Sequence, residues 1–132
     1  MSTVLASTPK PTWVDWSSGV LSGEGIEEAV KTLGQLGGLF HDEAAWSSMD
    51  PEIEVYRVRF WKPVPDGTTG GLFWGSTILQ PGLVGDEYFM THGHFHSISN
   101  RAEFYATVKG AGVILLMDES CKTWSQSIRR RS

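Results

Sequence analysis

Three of the four histidines in this 132-residue chain fall at positions 92, 94 and 96, inside the run Glu87-Tyr88-Phe89-Met90-Thr91-His92-Gly93-His94-Phe95-His96. In an extended strand successive side chains alternate faces, so all three imidazoles point the same way and neighbouring rings can converge on one ion. Histidine is the commonest side chain for that purpose. A turn over Ser97 to Arg101 would send the chain back antiparallel, with Glu103 and Tyr105 on one face of the next strand and Glu103 opposite the histidines. Imidazoles beside a carboxylate make a mixed N/O donor set suited to a divalent ion such as Fe, Mn, Zn or Ni. A solvated strand face, or a chance run such as a tag produces, is the plainer account of clustered histidines. The interleaved Gly93 and Phe95, and a carboxylate across a turn, favour the metal site here. His41, in Phe40-His41-Asp42-Glu43, is expected to be a surface histidine at a helix end.

The elements that must position these groups read as short strands. Ile53, Val55 and Arg57 alternate with Glu54, Tyr56 and Val58 in a β-rich run from Glu52 that stops at Lys62-Pro63. Pro65-Asp66-Gly67 is a turn, because proline presets φ and glycine accepts a positive one. Further strands are expected over Leu72 to Leu79, Glu87 to His96, Ala102 to Lys109 and Gly112 to Met117, punctuated by Pro81-Gly82, Ser97 to Asn100 and Gly110. Upstream, Ile26, Val30 and Leu33 stand at helical spacing, so the pattern predicts a short helix over Glu24 to Leu36, with Ser22 as its cap and Gly34, Gly37 and Gly38 ending it. Residues 1–16 read as a loose arm, since Pro9 and Pro11 prevent regular structure. Trp13, Val14 and Trp16 could anchor that arm on a sheet or join a contact between subunits. Regularly spaced short strands with no helices between them indicate an all-β sandwich or barrel.

Composition narrows the partners. A chain of this length fits one domain with one core, and 40% apolar with 20% charged residues is ordinary for a folded protein. A net charge of −4 offers nothing attractive to a polyanion, so no nucleic-acid partner is expected. The one basic run, Arg129 to Arg131, reads as a frayed, solvated tail. Cys121 is the only cysteine, which excludes an internal disulfide and suits a reducing compartment. With no signal peptide pattern and no apolar run long enough to span a bilayer, the expectation is a cytoplasmic protein with no membrane partner.

The spacing of His94 and His96, then Glu103, then Gly110, resembles the first motif of cupins, in the long-spaced form of cupin-type glucose-6-phosphate isomerase. The likeness extends to Ser76-Thr77-Ile78-Leu79-Gln80-Pro81-Gly82, Glu87-Tyr88-Phe89-Met90-Thr91, Arg101-Ala102-Glu103 and Lys109-Gly110-Ala111-Gly112, and covers residues 52–118 of a single domain over 1–132, with 119–132 as a divergent tail. It implies a cupin fold, the double-stranded β-helix or jelly-roll barrel. It also implies a metal-dependent aldose–ketose isomerase interconverting glucose 6-phosphate and fructose 6-phosphate, in glycolysis and gluconeogenesis. His94, His96 and Glu103 match family metal ligands, and Thr77, Thr91 and Gly93 match positions that hold the substrate phosphate. Tyr56 and Tyr105 match tyrosines lining the site, and Glu103 would also carry the proton between C1 and C2. The family's fourth ligand is a histidine in a proline-rich second motif that this chain does not contain, so a barrel without its last strands is expected. Uncovered edges and apolar faces should then drive pairing, giving a homodimer. His92 stands where the family usually has lysine and could fill a ligand position. A non-catalytic cupin binding metal or a sugar phosphate is the main rival reading, and a cupin dioxygenase a weaker one.

Overall fold

The computed structural model describes residues 12–96, 98 and 100–130. Most of the N-terminal arm, together with Ser97, Ser99, Arg131 and Ser132, lies outside them. The described chain is mostly β, with nine strands in small antiparallel sheets and one α-helix. Strands β1 (Trp13–Val14) and β2 (Leu21–Ser22) pair across a turn built on Asp15, whose carboxylate accepts hydrogen bonds from the Ser17 backbone and the hydroxyls of Ser17 and Ser18.

The central sheet is three-stranded, in the order β3 (Ile26–Thr32), β4 (Glu54–Trp61), β5 (Trp74–Leu79). The helix expected over Glu24 to Leu36 is therefore replaced by strand β3 and a 3-10 turn at Leu33–Leu36, and Ser22 belongs to β2 rather than capping a helix. Three apolar residues at helical spacing give an isolated helix little to bury. Pairing with the long β-branched and aromatic run of β4 satisfies the same backbone groups and overrides the local pattern. The helix is instead α1 (Glu43–Ser48), capped by Asp42, whose carboxylate accepts from the Ala45 N–H at 2.8 Å. His41 is exposed immediately before that cap, as expected.

A shift in the β3–β4 register, from Lys31 opposite Tyr56 to Thr32 opposite Glu54, leaves Val55 as an extra residue in β4. Such a bulge turns two consecutive side chains toward the same side. Val55 and Tyr56 accordingly both enter the core, which also holds Leu33, Leu36, Phe40, Val84 and Phe89. Each fully buried aliphatic side chain there contributes about 1.5–3 kcal/mol. The opposite face of the sheet carries an ion network in which Glu28 pairs with Arg57 and Arg59, and Glu54 with Arg57.

The turn at Pro65-Asp66-Gly67 forms as read, closed by the Thr68 N–H on the Pro65 carbonyl, with Gly67 at φ +85°. Strands β6 (Leu83–Val84) and β7 (Glu87–Tyr88) form a small hairpin, and β8 (Ala111–Met117) pairs along its whole length with β9 (Thr123–Arg129). Two expected strands are corrected here. Of Glu87 to His96 only the first two residues are paired, and Ala102 to Lys109 carries no ladder. Alternation makes a segment ready for pairing, but a ladder needs a neighbour with matching N–H and C=O groups, and the described residues supply none alongside these two. The C-terminal segment is corrected in the other direction. Arg129 ends β9, and the Arg130 guanidinium donates to the Trp16 and Val108 carbonyls at 2.7 and 2.9 Å, which ties this end to both neighbouring segments. No described helix is long and apolar enough to cross a membrane.

Candidate metal centre

The loop after β7 leaves the core at Phe89, whose N–H donates to the Gly82 carbonyl and whose ring packs directly over Gly82. From that anchor the chain passes Met90 and Thr91 to His92, whose backbone N–H lies 3.4 Å from the Tyr56 hydroxyl. Tyr56 thus links the buried sheet to the histidine segment. The turn beyond it closes with the Arg101 N–H on the Ile98 carbonyl, and the returning chain brings Glu103 back to the histidines.

The ligand atoms of His94, His96 and Glu103 all lie within 4.8 Å of one another. The imidazole Nε2 of His96 is 2.8 Å from Glu103 Oε1, and the rings of His94 and His96 stack at 5.7 Å between centroids. Ligands about 2.1 Å from a divalent ion stand about 3 Å apart when adjacent, so His96 and Glu103 are at ligand spacing and a small inward shift of the set would let it share an ion. The second carboxylate oxygen is occupied: the Tyr105 hydroxyl donates to Glu103 Oε2 at 2.6 Å. That bond, with burial adding to it, pushes the Tyr105 pKa up to about 12, so the phenol remains a donor through the neutral range. A ligating carboxylate held by an outer donor is the usual support of a metal site. His94 and Glu103 are exposed and His96 half-buried, which leaves room for water or a substrate at the remaining positions of an ion.

The grouping anticipated from the histidine spacing is therefore present in geometry, although the ladder meant to create it is not. His92 does not join the cluster of donors. The hydrogen bond from Tyr105 to Glu103 went unread, although two residues on one face of an extended segment were the signal for it. Thr77 lies on β5 directly opposite Val58, on the same face of the sheet as Tyr56, while Thr91 and Gly93 are the chain neighbours of His92, whose N–H meets the Tyr56 hydroxyl. Among the described residues, its chain neighbours apart, no atom lies within 4 Å of where a Cβ on Gly93 would stand.

The family model described as Glucose-6-phosphate isomerase (GPI) matches residues 30–125. The chain belongs to the glucose-6-phosphate isomerase family. The match takes in β4, β5, the end of β3, the histidine segment and the start of β9, and so reaches past both ends of the 52–118 segment read from motifs alone. Glucose-6-phosphate isomerase from Pyrococcus furiosus is 40% identical over 108 residues, and that from Thermococcus litoralis 39%, each alignment covering 78% of this chain and 53% of the relative. The family member from Sinorhizobium medicae is 44% identical over 89 residues, covering 65% of this chain and 41% of its own. The chain thus spans about half the length of the curated relatives it matches.

Proposed function

We propose that this chain carries the metal-binding and sugar-phosphate-binding half of a cupin barrel that interconverts glucose 6-phosphate and fructose 6-phosphate. The observation that supports the reading most directly is the convergence of His94, His96 and Glu103 with Tyr105 behind the carboxylate. His94, His96 and Glu103 would hold a divalent Fe, Mn, Zn or Ni ion, which when bound stabilises negative charge developing on a substrate oxygen. Glu103 is the group placed to carry a proton between C1 and C2, and Tyr105 fixes its orientation from Oε2. Hydroxyls of Thr77 and Thr91 and the Gly93 N–H bind the phosphate, since such donors make strong hydrogen bonds to an anion. Tyr56 forms the floor between the two halves of the site.

The same reading makes residues 1–132 one domain of a cytoplasmic protein that pairs with a second copy. The exposed Val113, Leu115, Leu116 and Met117 of β8, with Trp124 of β9, support the pairing. A non-catalytic binder of metal and sugar phosphate is the second reading. A coupled assay separates the two. Purified chain supplied with manganese(II), iron(II) or nickel(II) should convert fructose 6-phosphate to glucose 6-phosphate, and Glu103→Gln should abolish the conversion. Metal and fructose 6-phosphate binding without turnover would establish the binder instead.

A further inference from the structure

The ion pairs of Glu28 with Arg57 and Arg59 mark one face of the central sheet, so residues alternating with them belong to the other. Directly opposed residues of antiparallel strands share a face. Lys31 pairs with Tyr56, Leu79 also pairs with Tyr56, and Thr77 pairs with Val58. Lys31, Tyr56 and Thr77 therefore occupy one face, away from the guanidinium network, with Lys31 beside the tyrosine at a strand spacing of about 4.8 Å.

The position is notable for its charge. Lys31 is half-buried, yet no carboxylate of the described residues stands within ion-pairing distance of it, whereas Arg57, Arg59 and Lys62 each have one. Glu27 shares the face four residues back along β3 and does not make the pair. An ammonium without a protein counter-ion is free to take an anion at its side. A lysine side chain is about as long as a tyrosine, and the Tyr56 hydroxyl reaches the backbone of His92. From its position beside Tyr56, the Lys31 side chain is long enough to approach the backbone at His92, between Thr91 and Gly93.

We propose that Lys31 binds the phosphate group of a sugar phosphate lying over Tyr56, as the cationic partner of the neutral donors at Thr77, Thr91 and Gly93. This rests on the sugar-phosphate reading above and adds the charge that lets the site select phosphorylated over free sugar. Lys31 is absent from the motifs that carry the family resemblance, and only the β3–β4 register brings it to the site.

The test is calorimetric titration of the 132-residue chain with fructose 6-phosphate, free fructose and manganese(II), for the wild type, Lys31→Met and Lys31→Arg. Lys31→Met should weaken fructose 6-phosphate binding about tenfold, the scale of one hydrogen bond to a charged group, and Lys31→Arg should keep most of it. Manganese(II) binding and the unfolding midpoint should match the wild type in both variants. Equal fructose 6-phosphate affinity in Lys31→Met and wild type overturns the assignment and leaves the sugar-phosphate reading intact. Weakened binding accompanied by a lowered midpoint or lost manganese(II) uptake overturns it in favour of a structural role. Failure of the wild type itself to bind fructose 6-phosphate overturns both.

Discussion

Glu103 is held from two sides, by the His96 ring at one oxygen and the Tyr105 hydroxyl at the other. The phenol cannot be spared without freeing the carboxylate to rotate, because both partners sit on an exposed segment with no ladder to stiffen it. Tyr105→Phe is therefore expected to lower manganese(II) affinity about 10- to 100-fold, the range for losing an outer-shell partner of a metal ligand. Since the ring itself is 60% exposed, the unfolding midpoint should barely change. Competition against a chelating dye would measure the affinity, and a variant binding as tightly as wild type would remove Tyr105 from the site.

Among the elements, β4 carries the most responsibility, with Tyr56 toward the site on one face and Arg57 in ion pairs on the other. Hydrogen bonds from Arg59 to Glu28 and from Arg57 to Glu54 are the largest causes holding both carboxyls below their ordinary range. A depressed folded value means that the ionised form favours folding: the contribution is complete above the ordinary carboxylate pKa and fades as pH falls through the lowered values. Stability should therefore drop on acidification below about pH 4.5, and Arg57→Met should flatten that acid limb in denaturant midpoints recorded at successive pH values. A limb of unchanged steepness in the variant would count against the network. The anchor at Gly82 is a separate element-scale test. A Cβ there would stand 2.4 Å from the ring of Phe89, a core residue, so Gly82→Ala must displace it. Overpacking of that kind costs about 1–3 kcal/mol. It should also loosen the segment leading to His94, weakening metal binding in parallel with the loss of stability.

At the scale of the whole molecule, the main core cluster belongs to residues 33–89, while β8 and β9 are a hairpin whose side chains on both faces are largely exposed. A two-stranded ribbon with little burial is marginal on its own. Backbone amides of β8 and β9 in dilute protein should exchange with solvent at least about 100-fold faster than those of Val55 to Phe60, as local openings of low free energy do. Raising the protein concentration should slow the hairpin amides if a second copy covers Leu115 and Leu116, and Leu115→Lys should remove that dependence. Exchange rates indifferent to concentration would leave the apolar hairpin without a self-partner.

The donor set was legible because it is local: His94 and His96 are two residues apart, and Glu103 returns across one short turn, so period-two alternation and turn chemistry sufficed. The turn at Pro65 to Gly67 and the strands β4, β5 and β8 were legible for the same reason, as dense β-branched and aromatic runs bounded by proline or glycine. Pairing was not. Ile26, Val30 and Leu33 read as a helix stripe until β4, across the chain, offered hydrogen bonds that no local pattern announces. The bulge at Val55, the placement of Lys31 beside Tyr56, and the absence of a ladder at the histidines depend likewise on which distant backbone lies alongside. Residue types and short spacings set what chemistry this chain can do. Tertiary structure alone decided where each strand finds its partner, because a strand's N–H and C=O groups are satisfied by segments far away in sequence.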